Sequence, residues 1–364
     1  MRPALARLFA PELRELTSYV PHGGSFPVRL DANEAPAVLS TEAAERLLQS
    51  VGKLALERYP DALAAELRGA IAAHMQVTPE EVLVGVGSDE VVAMLLTALR
   101  RPRDRSESAT VLTTTPSFVM YRISARARGM RVVEVPLDDE WDLATESMLR
   151  AIEFAPPNVV FIASPNNPTS GLASLHRVEA VIRAAQDAIV VIDEAYVDYA
   201  DRDAMSSYRE HDNVVILRTL SKTGFAGLRV GWLVARPELV RELDKVRQPY
   251  NLPSPSQALA TAVLRQHWPD VQASIARVRA ERERMATRIR ELPGFAVTSS
   301  QANFLWLRTP SEAGPLFEAL QQQGVLVRSF HGRGGRLARQ LRVTVGRASD
   351  NDAFLHALAQ VSAR

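Results

Sequence analysis

Short, nearly continuous apolar runs rich in β-branched residues recur through the middle of the chain, at 110–114, 131–135, 158–163, 189–193, 214–218 and 230–235. Between most of them lie segments with apolar residues at helical spacing: 117–129, 142–154 and 174–187. Successive side chains of a strand point to opposite faces, so a strand that is apolar throughout is covered on both. Such strands alternating with helices predict a largely parallel α/β sheet. Upstream, "VLVGVGSDEVVAMLLTAL" reads as a strand, a glycine-bearing turn and a helix with Ser88, Asp89 and Glu90 in its first turn. The runs at 214–218 and 230–235 are joined by residues 219–229 alone. That link is too short for a usual helical crossover, so one strand is expected to run antiparallel. After residue 256 the pattern changes. An Arg-rich helical stretch spans 256–292 with a break near Pro269. Strand-like pieces follow at 295–298, 303–308, 325–329 and 341–345, with helices near 311–323 and 350–362, as in a smaller α+β domain.

Composition narrows the function classes. Lys and Arg number 43 against 42 Asp and Glu, a net charge of +1, which gives no reason to expect nucleic acid or an anionic membrane as partner. The absence of cysteine excludes disulfides, thiolate nucleophiles and Cys-held metals. The seven histidines are scattered without paired spacing, so no metal site is expected. No apolar run approaches the eighteen residues that span a bilayer. The start, "MRPALARLFAPELRELTSYVP", lacks a continuous apolar stretch and carries Glu12 and Glu15, which reads as an amphipathic arm rather than a secretory signal. A cytoplasmic location is expected.

Open α/β sheets bind ligands at the carboxyl ends of their strands. "TPSFVMY" follows 110–114, "SPNNPTSG" follows 158–163, "DEAY" ends 189–192, and "TLSK" ends 214–218, with Arg229 seven positions beyond Lys222. Taken singly, each has a plain reading. Ser88 and Asp89 suit a helix cap, Pro-Asn-Asn-Pro suits a turn, and Phe118 and Tyr121 suit a core. The ordered set is more telling: an anion-binding helix start, an aromatic, an Asn, an Asp, a Tyr, a Lys and an Arg, each at a strand end. One ligand accounts for all of them, because it carries a phosphate, a flat ring, a ring nitrogen, a ring oxygen and an aldehyde. That ligand is pyridoxal 5′-phosphate.

These motifs, with "LDANEAP" (30–36), "RYPD" (58–61), "ANFLWLR" (302–308) and "LRVTVG" (341–346), run almost end to end. The chain resembles the fold-type-I pyridoxal-phosphate aminotransferases. Within them it is similar to the histidinol-phosphate branch. The resemblance implies a large cofactor-binding domain over 37–255, with a mostly parallel seven-stranded sheet flanked by helices. It also implies a small domain over 256–364, joined by an N-terminal arm over 1–36. By the same resemblance, Lys222 would form the Schiff base and move the proton, Asp193 would hold the ring nitrogen protonated, and Tyr196 with Asn167 would bind the ring oxygen. Phe118 would stack on the ring. Ser88, Asp89, Ser221 and Arg229 would take the phosphate, with Tyr59 reaching it from the other subunit of a homodimer. Arg342 would bind the glutamate carboxylate, and Tyr19, Asn33 and Arg328 would contact the substrate. The implied reaction converts L-histidinol phosphate and 2-oxoglutarate to imidazole acetol phosphate and glutamate, in histidine biosynthesis.

Three departures stand out. Many members space the lysine and arginine by eight residues rather than seven, Phe118 stands where Tyr is frequent, and "LDANEAP" lacks the aromatic that often follows its Glu. The basic loop "FHGRGGRLARQ" (330–340) reads either as a surface turn or as a source of Arg333 or Arg336 for an anionic substrate. Rival readings are an aminotransferase for aromatic or other amino acids, a decarboxylase of a phosphorylated amino acid, and a non-enzymatic regulator that kept the pocket.

Overall fold

The computed structural model describes residues 2–16, 23–49, 51–103 and 106–362. A two-residue strand, β1 (Val28–Arg29), leads the chain. The main sheet follows: β2 (Val82–Val86), β3 (Thr110–Thr115), β4 (Arg131–Pro136), β5 (Val159–Ala163), β6 (Ile189–Asp193), β7 (Val214–Thr219) and β8 (Val230–Val234). Its order is β2-β8-β7-β6-β5-β3-β4, the seven-stranded α/β sheet expected. All neighbours are parallel except that β8 runs antiparallel to both β2 and β7. The short link 219–229 therefore does reverse the chain.

Helices cover both faces, which explains the unbroken apolar runs. In β5, Val160 and Ile162 enter one core while Val159, Phe161 and Ala163 enter the other. β7 divides in the same way, Val214 and Ile216 against Val215 and Leu217, all fully buried. Each such side chain contributes about 1.5–3 kcal/mol of burial. Packing on both faces also fixes the register, since a one-residue slip would exchange the two sets.

The C-terminal part holds a separate apolar core with its own antiparallel sheet, order β12-β13-β10-β9: β9 (Ala296–Val297), β10 (Phe304–Arg308), β12 (Arg328–Ser329) and β13 (Gln340–Thr344). The remaining strand, β11 (Val325–Leu326), pairs in parallel with β1, so the N-terminal segment joins this part of the molecule. The Arg-rich stretch is two helices, Ser254–Gln266 and Trp268–Arg290, and Pro269 sits in the first turn of the second, where its missing N–H costs nothing. No helix among the described residues is long and apolar enough to cross a membrane.

Candidate active site

A cavity of about 570 Å³ opens at the carboxyl edge of the main sheet. Ser88, Asp89, Phe118, Asn167, Asp193, Tyr196, Ser221, Lys222, Arg229, Asn33, Arg328 and Arg342 all line it. Of the remaining expected residues, Tyr59 is 80% exposed and lies outside the cavity of its own chain, stacked on Tyr250 at 4.7 Å. Tyr19 lies outside the described residues.

The reversed strand builds one end of the cavity. Because β8 is antiparallel, it begins at the edge where β2 and β7 end, so Val230 lies beside Val86 and Gly231 beside Gly85. The helix Gly87–Ala98 starts directly from β2, without intervening turn residues. The Glu90 carboxylate accepts from the Val86 N–H at 2.6 Å and from Asn251 at 2.7 Å, fixing the helix start. The Gly87 N–H donates to the Arg229 carbonyl at 2.8 Å. Gly231 is needed for close approach. A Cβ there would stand 2.3 Å from the Ser88 nitrogen and 2.5 Å from the Gly87 carbonyl carbon. We predict that Gly231→Ala pushes the helix start away, costs about 1–3 kcal/mol by overpacking, and weakens phosphate binding in the cup. Thermal melting with and without added pyridoxal phosphate tests this; an unchanged shift on adding it would show that the close approach is dispensable.

The seven-residue spacing still brings Arg229 to Ser221. Two tight 3-10 turns, Leu220–Lys222 and Ala226–Leu228, shorten the link, and Arg229 takes a left-handed conformation with φ 51°. Its guanidinium reaches the Ser221 hydroxyl at 3.5 Å and Asp89 at 3.4 Å. Ser221 also receives a hydrogen bond from the Thr219 hydroxyl at 2.9 Å. The helix-start N–H groups, Ser221 and Arg229 thus form a cup for a phosphate.

At the deep end lies Asp193, 5% exposed at the close of β6. Burial raises its pKa to about 6, against hydrogen bonds from Tyr121 and the Ala195 N–H that lower it. Among the described residues it has no ion-pair partner. A buried carboxylate beside a cavity fits the protonated nitrogen of a pyridine ring. The adjacent Glu194 faces elsewhere and is neutralised by Arg218 at 2.7 Å. Tyr121, whose plain reading was a core aromatic, is fully buried and donates its hydroxyl to the Asp193 carboxylate. It stacks flat on Phe161 at 4.5 Å and edge-on to Phe118 at 5.5 Å. Its place one helical turn after Phe118, at i+3, was the only sequence signal for this role.

The opposite wall is polar. The Tyr196 hydroxyl accepts from Asn33 Nδ2 at 3.0 Å, leaving its own proton to donate toward a ring oxygen. Asn33 is held in turn, since its N–H donates to Thr344 at 3.0 Å and its carbonyl accepts from Asn303 at 3.0 Å. Arg342, 9% exposed, donates to Asn167 Oδ1 at 2.7 Å and to the Asp31 carbonyl. Lys222 lines the same cavity, with Nζ 5.7 Å from the centre of the Tyr196 ring. Cup, buried acid, hydroxyl and lysine are the donor set that pyridoxal phosphate requires. Arg29, Asp31, Glu34, Phe330 and Arg333 also line the cavity. Arg336 does not; it lies over the Trp141 ring at 3.7 Å and donates to the Asp138 and Leu137 carbonyls, pinning the basic loop.

Residues 27–358 match the family described as aminotransferase class I and II. The chain is 38% identical over 358 residues to histidinol-phosphate aminotransferase 2 of Nitrosococcus oceani, covering 97% of each. It is 40% identical over 345 residues to histidinol-phosphate aminotransferase 1 of Burkholderia lata, covering 94% of each. Among solved structures, it superposes on histidinol-phosphate aminotransferase from Sinorhizobium meliloti, in complex with pyridoxal 5′-phosphate, with a TM-score of 0.84, 24% identity and 98% coverage of each chain.

Proposed function

The chain belongs to the aminotransferase class I and II family, and we propose that its substrates are L-histidinol phosphate and 2-oxoglutarate, with imidazole acetol phosphate and glutamate as products. One observation carries this reading: in a chain 38% identical to histidinol-phosphate aminotransferases, Lys222, the residues of the phosphate cup and Arg342 line a single cavity. Bound in that cavity, pyridoxal phosphate supplies an aldehyde that takes up amino groups and a protonated ring that draws electrons from the substrate Cα. The chain supplies the rest. Ser88, Asp89, Ser221 and Arg229 anchor the phosphate end. Asp193, aligned by Tyr121, keeps the ring nitrogen protonated. Tyr196 and Asn167 hold the ring oxygen, and Phe118 covers one face. Lys222 Nζ takes the proton from the substrate Cα and delivers it on the cofactor side, as both base and acid. Arg342 receives the carboxylate of glutamate through a two-pronged contact, while Asn33 orders the substrate side by fixing Tyr196.

The working form is a cytoplasmic homodimer. Tyr59 and Tyr250 stack at the surface, and Leu56 and Leu63 on the same segment are also exposed, a suitable face for a second copy. Tyr59 reaches the phosphate cup of the partner.

Single-turnover absorbance tests the substrate assignment. The visible band of the loaded protein is expected to disappear with histidinol phosphate and to return with 2-oxoglutarate. Faster loss with phenylalanine than with histidinol phosphate would move the assignment to an aromatic amino-acid donor. Release of carbon dioxide from a phosphorylated amino acid would move it to a decarboxylase.

A further inference from the structure

Two loops from distant parts of the chain meet near the cavity. The first, 137–142, follows β4, an edge strand of the main sheet. It is tied down from within. The Asp138 carboxylate accepts from the Glu140 and Asp142 N–H groups at 3.0 and 2.8 Å and from Arg177, which also donates to the Leu143 carbonyl at 2.7 Å. This turn holds Trp141 in the left-handed region, at φ 64°, which bulky residues rarely adopt. Its indole packs on the C-terminal part of the molecule, edge-on to Trp306 of β10 at 5.6 Å.

The second is the basic loop, closed at its base where the Phe330 N–H donates to the Gln340 carbonyl at 3.1 Å. From it, Arg336 lays its guanidinium over the Trp141 ring at 3.7 Å and donates to the Asp138 and Leu137 carbonyls at 2.7 and 2.8 Å. A guanidinium on an indole face combines cation–π attraction with a fixed fork of donors, a contact that lysine does not reproduce. The accompanying ion pair with Asp139, at 3.7 Å and exposed, adds little.

The contact leads on to the cavity. Trp306, 1% exposed, is edge-on to Phe330 at 5.0 Å, and Phe330 lines the cavity. Trp306 also stands directly opposite Arg342 in the ladder of β10 and β13, and residues paired in this way share one face of a sheet. Lys222 and the phosphate cup, by contrast, are built on the main sheet.

We propose that Trp141 and Arg336 form a clasp between the main sheet and the C-terminal part, and that this clasp sets Arg342 and Phe330 in register with Lys222. Both are positioning residues. Neither lines the cavity, and they act through Trp306 and the loop they hold. The inference rests on the proposed role of Arg342 toward the glutamate carboxylate.

The test is the half-reaction with glutamate in Arg336→Ala, Arg336→Lys, Trp141→Phe and Trp141→Leu proteins, and in protein carrying both Arg336→Ala and Trp141→Leu. Loss of the stacked cation is expected to raise the glutamate concentration for half-maximal reaction by roughly 5- to 30-fold, with a smaller change in the rate at saturation. Phenylalanine at 141 keeps a ring face and recovers most of the loss seen with leucine, whereas lysine at 336 recovers little. The single changes break one contact, so the double variant is no worse than the more impaired single one. Affinity for pyridoxal phosphate stays at the wild-type level, because the cup draws on neither loop. Tryptophan emission gives a second readout: Arg336→Ala shifts it, and the shift vanishes when Trp141→Phe is also present. Losses that add in the double variant, a parallel loss of cofactor affinity, or wild-type behaviour of Arg336→Ala would overturn the clasp and leave the proposed function standing. Wild-type protein inert toward glutamate would remove the proposed role of Arg342, and the clasp's part in it.

Discussion

Lys222→Ala protein is expected to lose transamination by at least about 10⁴-fold in both half-reactions, since in the proposed mechanism one side chain provides both the amine that the cofactor aldehyde meets and the acid–base that moves the proton. The fold should survive. Lys222 is partly buried, and its side chain has no ion pair among the described residues. What secures this stretch is backbone: the Tyr199 hydroxyl donates to the Lys222 carbonyl at 2.7 Å, a contact alanine keeps. The variant should therefore still bind pyridoxal phosphate through the cup, with an altered visible spectrum. The same variant reports on subunit sharing. Mixed with Tyr59→Phe protein, it should regain activity if the proposed dimer forms, because one site of each hybrid then holds both an intact lysine and an intact tyrosine. A variant within tenfold of the wild-type rate would remove Lys222 from the chemistry, and hybrids without regained activity would place Tyr59 outside the partner's site.

Asp193→Asn is expected to slow the reaction by about 10²–10³-fold or more, the scale of losing one aimed electrostatic contact in a buried site. Asparagine fills the same space; its oxygen can keep the Ala195 N–H while its amide donates to the Tyr121 hydroxyl, so the main change is the lost charge. A second signature appears without cofactor. Burial raises the Asp193 pKa from 3.8 to about 6. Between those values the unfolded chain has released this proton and the folded chain has not, so the folded state binds more protons and its stability falls as pH rises. The cost of holding the charged form is roughly 3 kcal/mol, present in full above pH 6 and absent below pH 4. Cofactor-free Asp193→Asn protein should therefore gain stability relative to wild type as pH rises from about 4 through 6, as read by denaturant midpoints at several pH values. Adding pyridoxal phosphate should favour wild type instead, since its ring nitrogen pairs with the carboxylate. Parallel pH profiles for the two proteins would mean that Asp193 does not carry this strain.

The main sheet was legible because both of its faces are covered. Periodicity alone located β3 to β8, and the shortness of 219–229 foretold the reversal of β8. The strand ends then pointed to the cavity. Long-range pairing was hidden. Tyr121 looks like any core aromatic, and its partner Asp193 lies 72 residues away. The Arg342 contact with Asn167 spans 175 residues. The two-residue strands carry too few side chains to show a period, so the pairing of β1 with β11 had no local trace. In the basic loop, sequence could not separate Arg333 from Arg336, because only the position of Trp141 decides which arginine turns away.

The reversal of β8 also bears on how the molecule is made. Its phosphate cup draws on residues near 88, near 221 and at 229, and these converge only when the later strand has inserted between β2 and β7. A nascent chain that has emerged just past Lys222 owns the lysine and the helix start but no closed cup. Cofactor capture is thus a checkpoint on sheet completion: it rewards only chains whose last central strand is seated, and holds them there by mass action.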